Sequence, residues 1–191
     1  MAKKESTFIN MLLTLFLITL IASSAVAFVY EITKEPKARA LLAKKVNAIK
    51  AVVPEFDNNP VEEQKTVETD GGKFVFYPAK MKGTLVGTAI ETFTKKGFGG
   101  EVKLMVGLLP SGTIYDIAVI EHKETPGLGD KMDKKKSNFS QQFKGKGPSQ
   151  FRLIVKKDGG DVDAITAATI SSRAFCDAVQ KAYDVYIKDK K

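Results

Sequence analysis

Polar and apolar positions divide the chain into three regimes. Residues 8–30 contain no Asp, Glu, Lys or Arg, an uncharged run of about 23 positions that suffices to cross a hydrocarbon core of about 30 Å. Over 36–53, Ala40, Leu41, Val46, Ile49 and Val53 recur near helical spacing with lysines between them. That predicts an amphipathic helix ending before Pro54, a stalk laying one face on a globular domain, since it lacks the aromatic residues of a membrane-lying helix. Asn58-Asn59-Pro60 reads as a loop, and the charged stretch after it ends in the turn Asp70-Gly71-Gly72. Strand patterning begins at 73–77 and continues over 84–94, while Phe98-Gly99-Gly100 reads as a loop. Residues 101–109 and 113–122 flank Pro110-Ser111-Gly112 and predict a hairpin. A short basic helix over 131–143, a break at Gly145-Lys146-Gly147-Pro148 and a strand over 151–156 follow. From 169 to 188, Ile170, Phe175, Ala178, Val179, Ala182 and Tyr186 return at helical spacing and predict one buried face.

This order predicts an α+β fold: one N-terminal transmembrane helix, then a twisted, largely antiparallel sheet with helices packed on it. The expected division is 1–32 as membrane anchor with a short tail, 33–72 as helical stalk and linker, and 73–191 as the globular domain. A cleavable signal peptide competes with the anchor, because Lys3 and Lys4 precede the apolar run and Ala25-Val26-Ala27 offers small residues for cleavage. The run continues through Phe28 and Val29, which favours retention. Lys34, Lys37, Arg39, Lys44, Lys45 and Lys50 follow the span, so a positive-inside count places the domain in the cytoplasm.

Composition narrows the functions less. The formal net charge is +8, but the lysines are dispersed and no nucleic-acid motif accompanies them, so a solvated basic surface is expected and no nucleic-acid partner. An anionic lipid surface or an acidic partner stays open. The single cysteine, Cys176, excludes an internal disulfide and reads as a small residue beside the helix's buried face. No catalytic set and no His, Cys or carboxylate group at metal-ligand spacing is present in the pattern.

Two motifs carry candidate chemistry. After Asp158-Gly159-Gly160, the stretch 163–172 brings hydroxyls and small side chains to the start of the last helix, including Thr166-Ala167-Ala168-Thr169. Free N–H groups and the positive end of a helix dipole suit an anion there. Thr166 or Thr169 equally reads as an ordinary cap, and Asp163 as an acidic residue that complements the dipole. The second motif, Glu124-Thr125-Pro126-Gly127-Leu128-Gly129 after His122, leaves a strand end, where a loop on a rigid scaffold can line a ligand. His122 there is equally read as a hydrogen-bonded strand-end residue.

Thr166-Ala167-Ala168-Thr169 resembles the Ser/Thr-Gly-Ala-Thr flavinylation motif of the FMN-binding domain family. That family includes the G subunit of Rnf ion-translocating complexes and the C subunit of sodium-translocating NADH:quinone reductases; this chain is short for the latter. Ala167 replaces the usual Gly, a change that is tolerable at negative φ and costly at positive φ. The resemblance implies one FMN per chain, esterified through its phosphate to Thr169, with Thr166, Ala167 and Ala168 around the phosphate. Glu124, Thr125, Gly127, Leu128 and Gly129 would border the isoalloxazine ring, Thr125 at its pyrimidine edge and Leu128 against its face. A separate magnesium-dependent flavin transferase would install the group: the Thr169 hydroxyl attacks FAD at the FMN phosphorus, the pyrophosphate bond breaks and AMP leaves. The protein would then be an electron-transfer subunit of a membrane-bound ferredoxin:NAD oxidoreductase, with other subunits and membrane lipid as partners and no independent catalysis. It would face the extracytoplasmic side of the bacterial inner membrane, against the lysine count. A membrane-tethered, non-redox anion-binding domain and a receptor released by signal cleavage are the rival readings.

Overall fold

The computed structural model describes residues 7–69, 71–148 and 150–190, which form two compact units, one up to Ala43 and one from Lys44 onward. The first unit holds most of helix α1 (Phe8–Val52), which is long and apolar enough to cross a membrane. Leu12, Leu13, Phe16 and Ile18 stand exposed along it, as a helix solvated by lipid would show them. Pro36 lies inside this helix, so the separate stalk helix expected to start there is not separate. Proline removes one helical hydrogen bond and usually breaks a helix. Here good helix formers on both sides, among them Glu35, Lys37, Ala38 and Arg39, carry the helix through.

The second unit is built on a five-stranded sheet of β1 (Lys65–Thr69), β2 (Gly72–Met81), β3 (Thr84–Gly97), β4 (Gly100–Leu108) and β5 (Ile114–Glu121). The strands lie in sequence order and every neighbouring pair is antiparallel. The α+β reading and the 101–122 hairpin are therefore found as expected. Alternation of side chains sorts the sheet into two buried faces. Phe74, Phe76, Leu104 and Val106 join Phe175, Val179 and Ala182 of helix α2 (Thr169–Asp189) in one core. On the opposite face, Tyr77, Ala79, Ala89 and Met105 meet Ala48, Ile49 and Val52 from the last turns of α1. A Cβ on Gly107 would collide with the Val52 carbonyl, so that close approach depends on glycine.

Two polar links fix α2 along β3. Thr92 donates its hydroxyl to the Ala178 carbonyl at 2.9 Å, and Thr94 donates to the Asp177 carboxylate at 2.7 Å. Burial alone pushes the Asp177 carboxyl up, but hydrogen bonds from Lys96, Thr94 and Lys181 outweigh it and hold the group at about 2.

Three local expectations are corrected. The charged stretch before residue 70 contains β1, an edge strand whose polar, outward-facing pattern resembles a loop. The predicted helix over 131–143 is instead two short 3-10 helices, Gly129–Met132 and Phe139–Phe143, the second packed through Phe139 edge-on to Phe175 at 5.2 Å. Residues 151–156 form no strand; Leu153 and Val155 are buried, but the Arg152 N–H goes to the Asp161 carboxylate and Val155 pairs only with Val162. Asp70, part of the expected turn before β2, lies outside the described residues.

Candidate cofactor site between two turns

Each motif folds into a tight turn whose third residue is left-handed. In the first turn, the Leu128 N–H donates to the Thr125 carbonyl at 3.2 Å, with Pro126 second and Gly127 third at φ 78°. Pro then Gly at those places is the signature of a type II turn. In the second, the Ala168 N–H donates to the Ile165 carbonyl at 3.0 Å, with Thr166 second and Ala167 third at φ 62°. The replacement of Gly by Ala therefore falls where the backbone is left-handed, a strain of about 1–2 kcal/mol for a residue with a Cβ.

Both turns contribute to a cavity of about 330 Å³ lined by Thr125, Leu128, Ala167 and Thr169 together with Phe98 and Ile170. Glu124, Gly129, Ala168 and Ser171 complete the wall. Thr166 and Gly127 are not part of it, although both belong to the turns. Asp163 lies away from the cavity, paired with Lys156 at 2.7 Å. Phe98, Ile170 and Ser171 line the cavity without being expected there; Ile170, expected on the buried face of α2, is instead exposed where it borders the cavity.

At the start of α2 the capping residue is Ala168, with no side-chain cap; neither threonine has the role of an ordinary cap. Among the described residues, the N–H groups of Thr169, Ile170 and Ser171 have no acceptor, and the Thr169 hydroxyl has no partner. The neighbouring hydroxyls are committed. Ser171 donates to Glu124, and Ser172 donates to the Ala168 carbonyl at 3.0 Å while accepting the Ile165 N–H at 2.9 Å. Both serines are buried, whereas Thr169 is only partly so.

Glu124 holds the walls together. It is 5% exposed; one carboxylate oxygen accepts the Gly99 N–H at 3.0 Å and the other accepts the Ser171 hydroxyl. Its own N–H donates to Nδ1 of His122 at 3.1 Å, and His122 does not line the cavity. A Cβ on Gly129 would lie 2.6 Å from the second Glu124 oxygen, so this glycine is needed for closeness rather than for its dihedral. Behind the loop, the buried Asp130 pairs with Lys136. The Lys136 ammonium lowers the Asp130 carboxyl below the usual carboxylate range despite burial, with help from the Gly127 N–H. Arg173 grips Asp158 through two hydrogen bonds of 2.6 and 2.7 Å, tying the turn before the 163–172 motif to α2.

Residues 97–184 match the family described as the FMN-binding domain. Over a wider stretch, the G subunit of the ion-translocating oxidoreductase complex of Erwinia tasmaniensis is 34% identical over 177 residues, covering 88% of this chain and 84% of its own. The G subunit of the complex of the same name from Vibrio cholerae is 34% identical over 173 residues, covering 86% and 83%. That from Haemophilus influenzae is 33% identical over 172 residues, with the same coverage. The chain belongs to this family of G subunits.

The matched domain begins at Gly97, so it takes in the hairpin tip with Phe98 and both turns. The donor set fits an FMN phosphate: three free N–H groups at the positive end of α2, beside a free hydroxyl and no competing cap. The cavity volume is at the low end of the range for cofactor sites. Leu128 is 40% exposed and Ile170 47% exposed, as expected for apolar side chains awaiting cover. Cys176, further along α2, is buried and its thiol is pushed up to about 12 by that burial, so it has no thiolate to offer this site.

Proposed function

We propose that this chain is the flavin-carrying electron-transfer subunit of a membrane-bound, ion-translocating ferredoxin:NAD oxidoreductase, with FMN joined to Thr169 by a phosphoester. The observation that carries the reading is the free Thr169 hydroxyl beside three free amides, in a cavity shared by both motifs. FMN supplies the redox chemistry when bound. The chain's own residues hold its phosphate at the start of α2, present Thr125 and the 124–129 backbone to the ring, and shield one side with Leu128.

Attachment needs a base, and among the described residues the cavity lining offers none that is free. Glu124 is the carboxylate in the cavity wall, and both its oxygens already hold donors. Removal of the Thr169 proton therefore falls to the flavin transferase, together with the metal that polarises the FAD pyrophosphate. Partner subunits and lipid complete the assembly: the apolar part of α1 tethers the domain, and the residues around the cavity would hold a flavin that supplies electron transfer to a neighbouring subunit. The globular unit faces the extracytoplasmic side, which protease added to intact spheroplasts tests; protection of the region beyond residue 30 until lysis contradicts it.

The direct test is co-expression with a flavin transferase, followed by a denaturing gel viewed under ultraviolet light. A phosphoester survives unfolding, so the unaltered protein gives a fluorescent band. Thr169→Ala loses it, Thr169→Ser keeps part of it, and Thr166→Ala keeps it. A dark band for Thr166→Ala with a bright one for Thr169→Ala contradicts the assignment.

A further inference from the structure

We propose that Phe98, at the tip of the β3–β4 hairpin, is the aromatic wall of the flavin site, held in place by Glu124; this rests on reading the cavity as the flavin site. Phe98 lines the cavity yet is 69% exposed. Nothing in the hairpin asks for an aromatic side chain there: the tip is Gly97-Phe98-Gly99-Gly100, a place where a polar residue would be better solvated. The exposed ring makes sense as a surface waiting for a flat apolar partner.

The tip is not free to wander. The Gly99 N–H donates to Glu124 at 3.0 Å, and a Cβ on Gly97 would lie 2.6 Å from the same carboxylate oxygen. A Cβ on Gly99 would collide with the Lys123 carbonyl. Two glycines thus let the hairpin tip sit directly on residues 123 and 124, and this sets where Phe98 stands. The other Glu124 oxygen takes the Ser171 hydroxyl, so one buried carboxylate positions the aromatic ring relative to the first turn of α2. Phe98, Leu128 and Ile170, all exposed and all lining the cavity, come from three different elements. Together they offer apolar contact around a planar ligand, with the phosphate donors at one end.

The chain contains no tryptophan, which makes the test clean. Phe98→Trp is prepared in the full, flavinylated chain in detergent, and flavin emission is compared before and after unfolding. An indole against the isoalloxazine ring quenches its fluorescence by electron transfer over short distances only. The expected result is loss of most native emission and a shortened lifetime, with emission regained on unfolding because flavin content is unchanged. Leu85→Trp, at the far end of β3, should leave native emission as it was. Phe98→Ala should shift the flavin absorption band or midpoint potential at unchanged flavin content. Native emission in Phe98→Trp equal to that of the parent, with no shift in Phe98→Ala, overturns the proposal. Absence of flavin from every protein, parent included, instead removes the covalent-flavin reading beneath it.

Discussion

The two turns that contribute to the cavity have the same hydrogen bond and the same left-handed third position, but one uses Gly127 and the other Ala167. A Cβ at Gly127 would meet nothing within 4 Å, so its glycine answers a dihedral demand alone. Ala167 meets the same demand with a methyl in place. The second turn is therefore held in its shape by its surroundings rather than by its own preference: Ser172 bridges the Ile165 N–H and the Ala168 carbonyl, and Arg173 fixes the preceding segment on Asp158. Strain persists where neighbours over-determine a conformation, and it concentrates at functional sites.

Substitutions can separate what each turn owes to its neighbours from what it owes to its own residues. Glu124 links the loop of the first turn to the helix that follows the second, so Glu124→Ala should have the largest effect. It leaves the Gly99 N–H and the Ser171 hydroxyl without their charged acceptor, at about 2–3 kcal/mol. Urea unfolding should show this loss, and flavin loading should fall with it. Glu124→Gln, which keeps an acceptor and the volume, should recover part of both; equal loss in the two variants would show that the carboxylate's bonds are not what matters.

Exchanging the third residues tests the turns themselves. Gly127→Ala should lose about 1 kcal/mol and Ala167→Gly should gain about 1 kcal/mol, the net of left-handed strain against glycine's extra unfolded-state entropy. The double variant should return near the parent midpoint, because each change acts in its own turn. A loss of stability in Ala167→Gly would mean that its methyl contributes packing that outweighs its strain.

The smallest expected effect lies away from the turns. The Asp177 carboxyl, at about 2 when folded against an ordinary 3.8, contributes stability that is present above its ordinary value. That contribution is lost as pH falls from about 4 toward 2. With screening of its partly exposed lysines allowed for, it amounts to about 0.5 kcal/mol. Asp177→Asn should flatten that part of the stability–pH curve without altering flavin attachment; an unchanged acid limb would show that the carboxylate contributes nothing there.

Long, strongly periodic elements were legible in the sequence, as were residues whose chemistry is local. The buried face of α2 from Phe175 onward and the 101–122 hairpin follow from spacing and turn residues alone, whereas Ile170, at the same helical spacing, is exposed. The two motifs stood out by composition, one at a helix start and one on a loop at a strand end, while the tight turns they form did not. What escaped were features made by tertiary contact. Edge strand β1 shows mostly outward side chains, so its pattern is that of a loop. Residues 151–156 have strand composition, yet their backbone is satisfied by Asp161 and Val162 rather than by a ladder. Phe98 sits in a stretch correctly read as a loop, but only folding brings that loop beside Glu124. The left-handed dihedral at Ala167 was the condition on which the substitution's effect hung, and no pattern in the chain fixes its sign.

Whether Thr169 bears FMN through a phosphoester is decided by tryptic peptide mass spectrometry of the protein co-expressed with a flavin transferase. Cleavage after Lys157 and Arg173 releases one peptide containing Thr166, Thr169, Ser171 and Ser172. This peptide should gain the mass of one FMN less one water. Fragment ions should retain the addition when they include Thr169 and lack it when they stop at Ala168. An addition that stays with fragments ending at Thr166, or an unmodified peptide from protein that still binds flavin, would contradict attachment at Thr169.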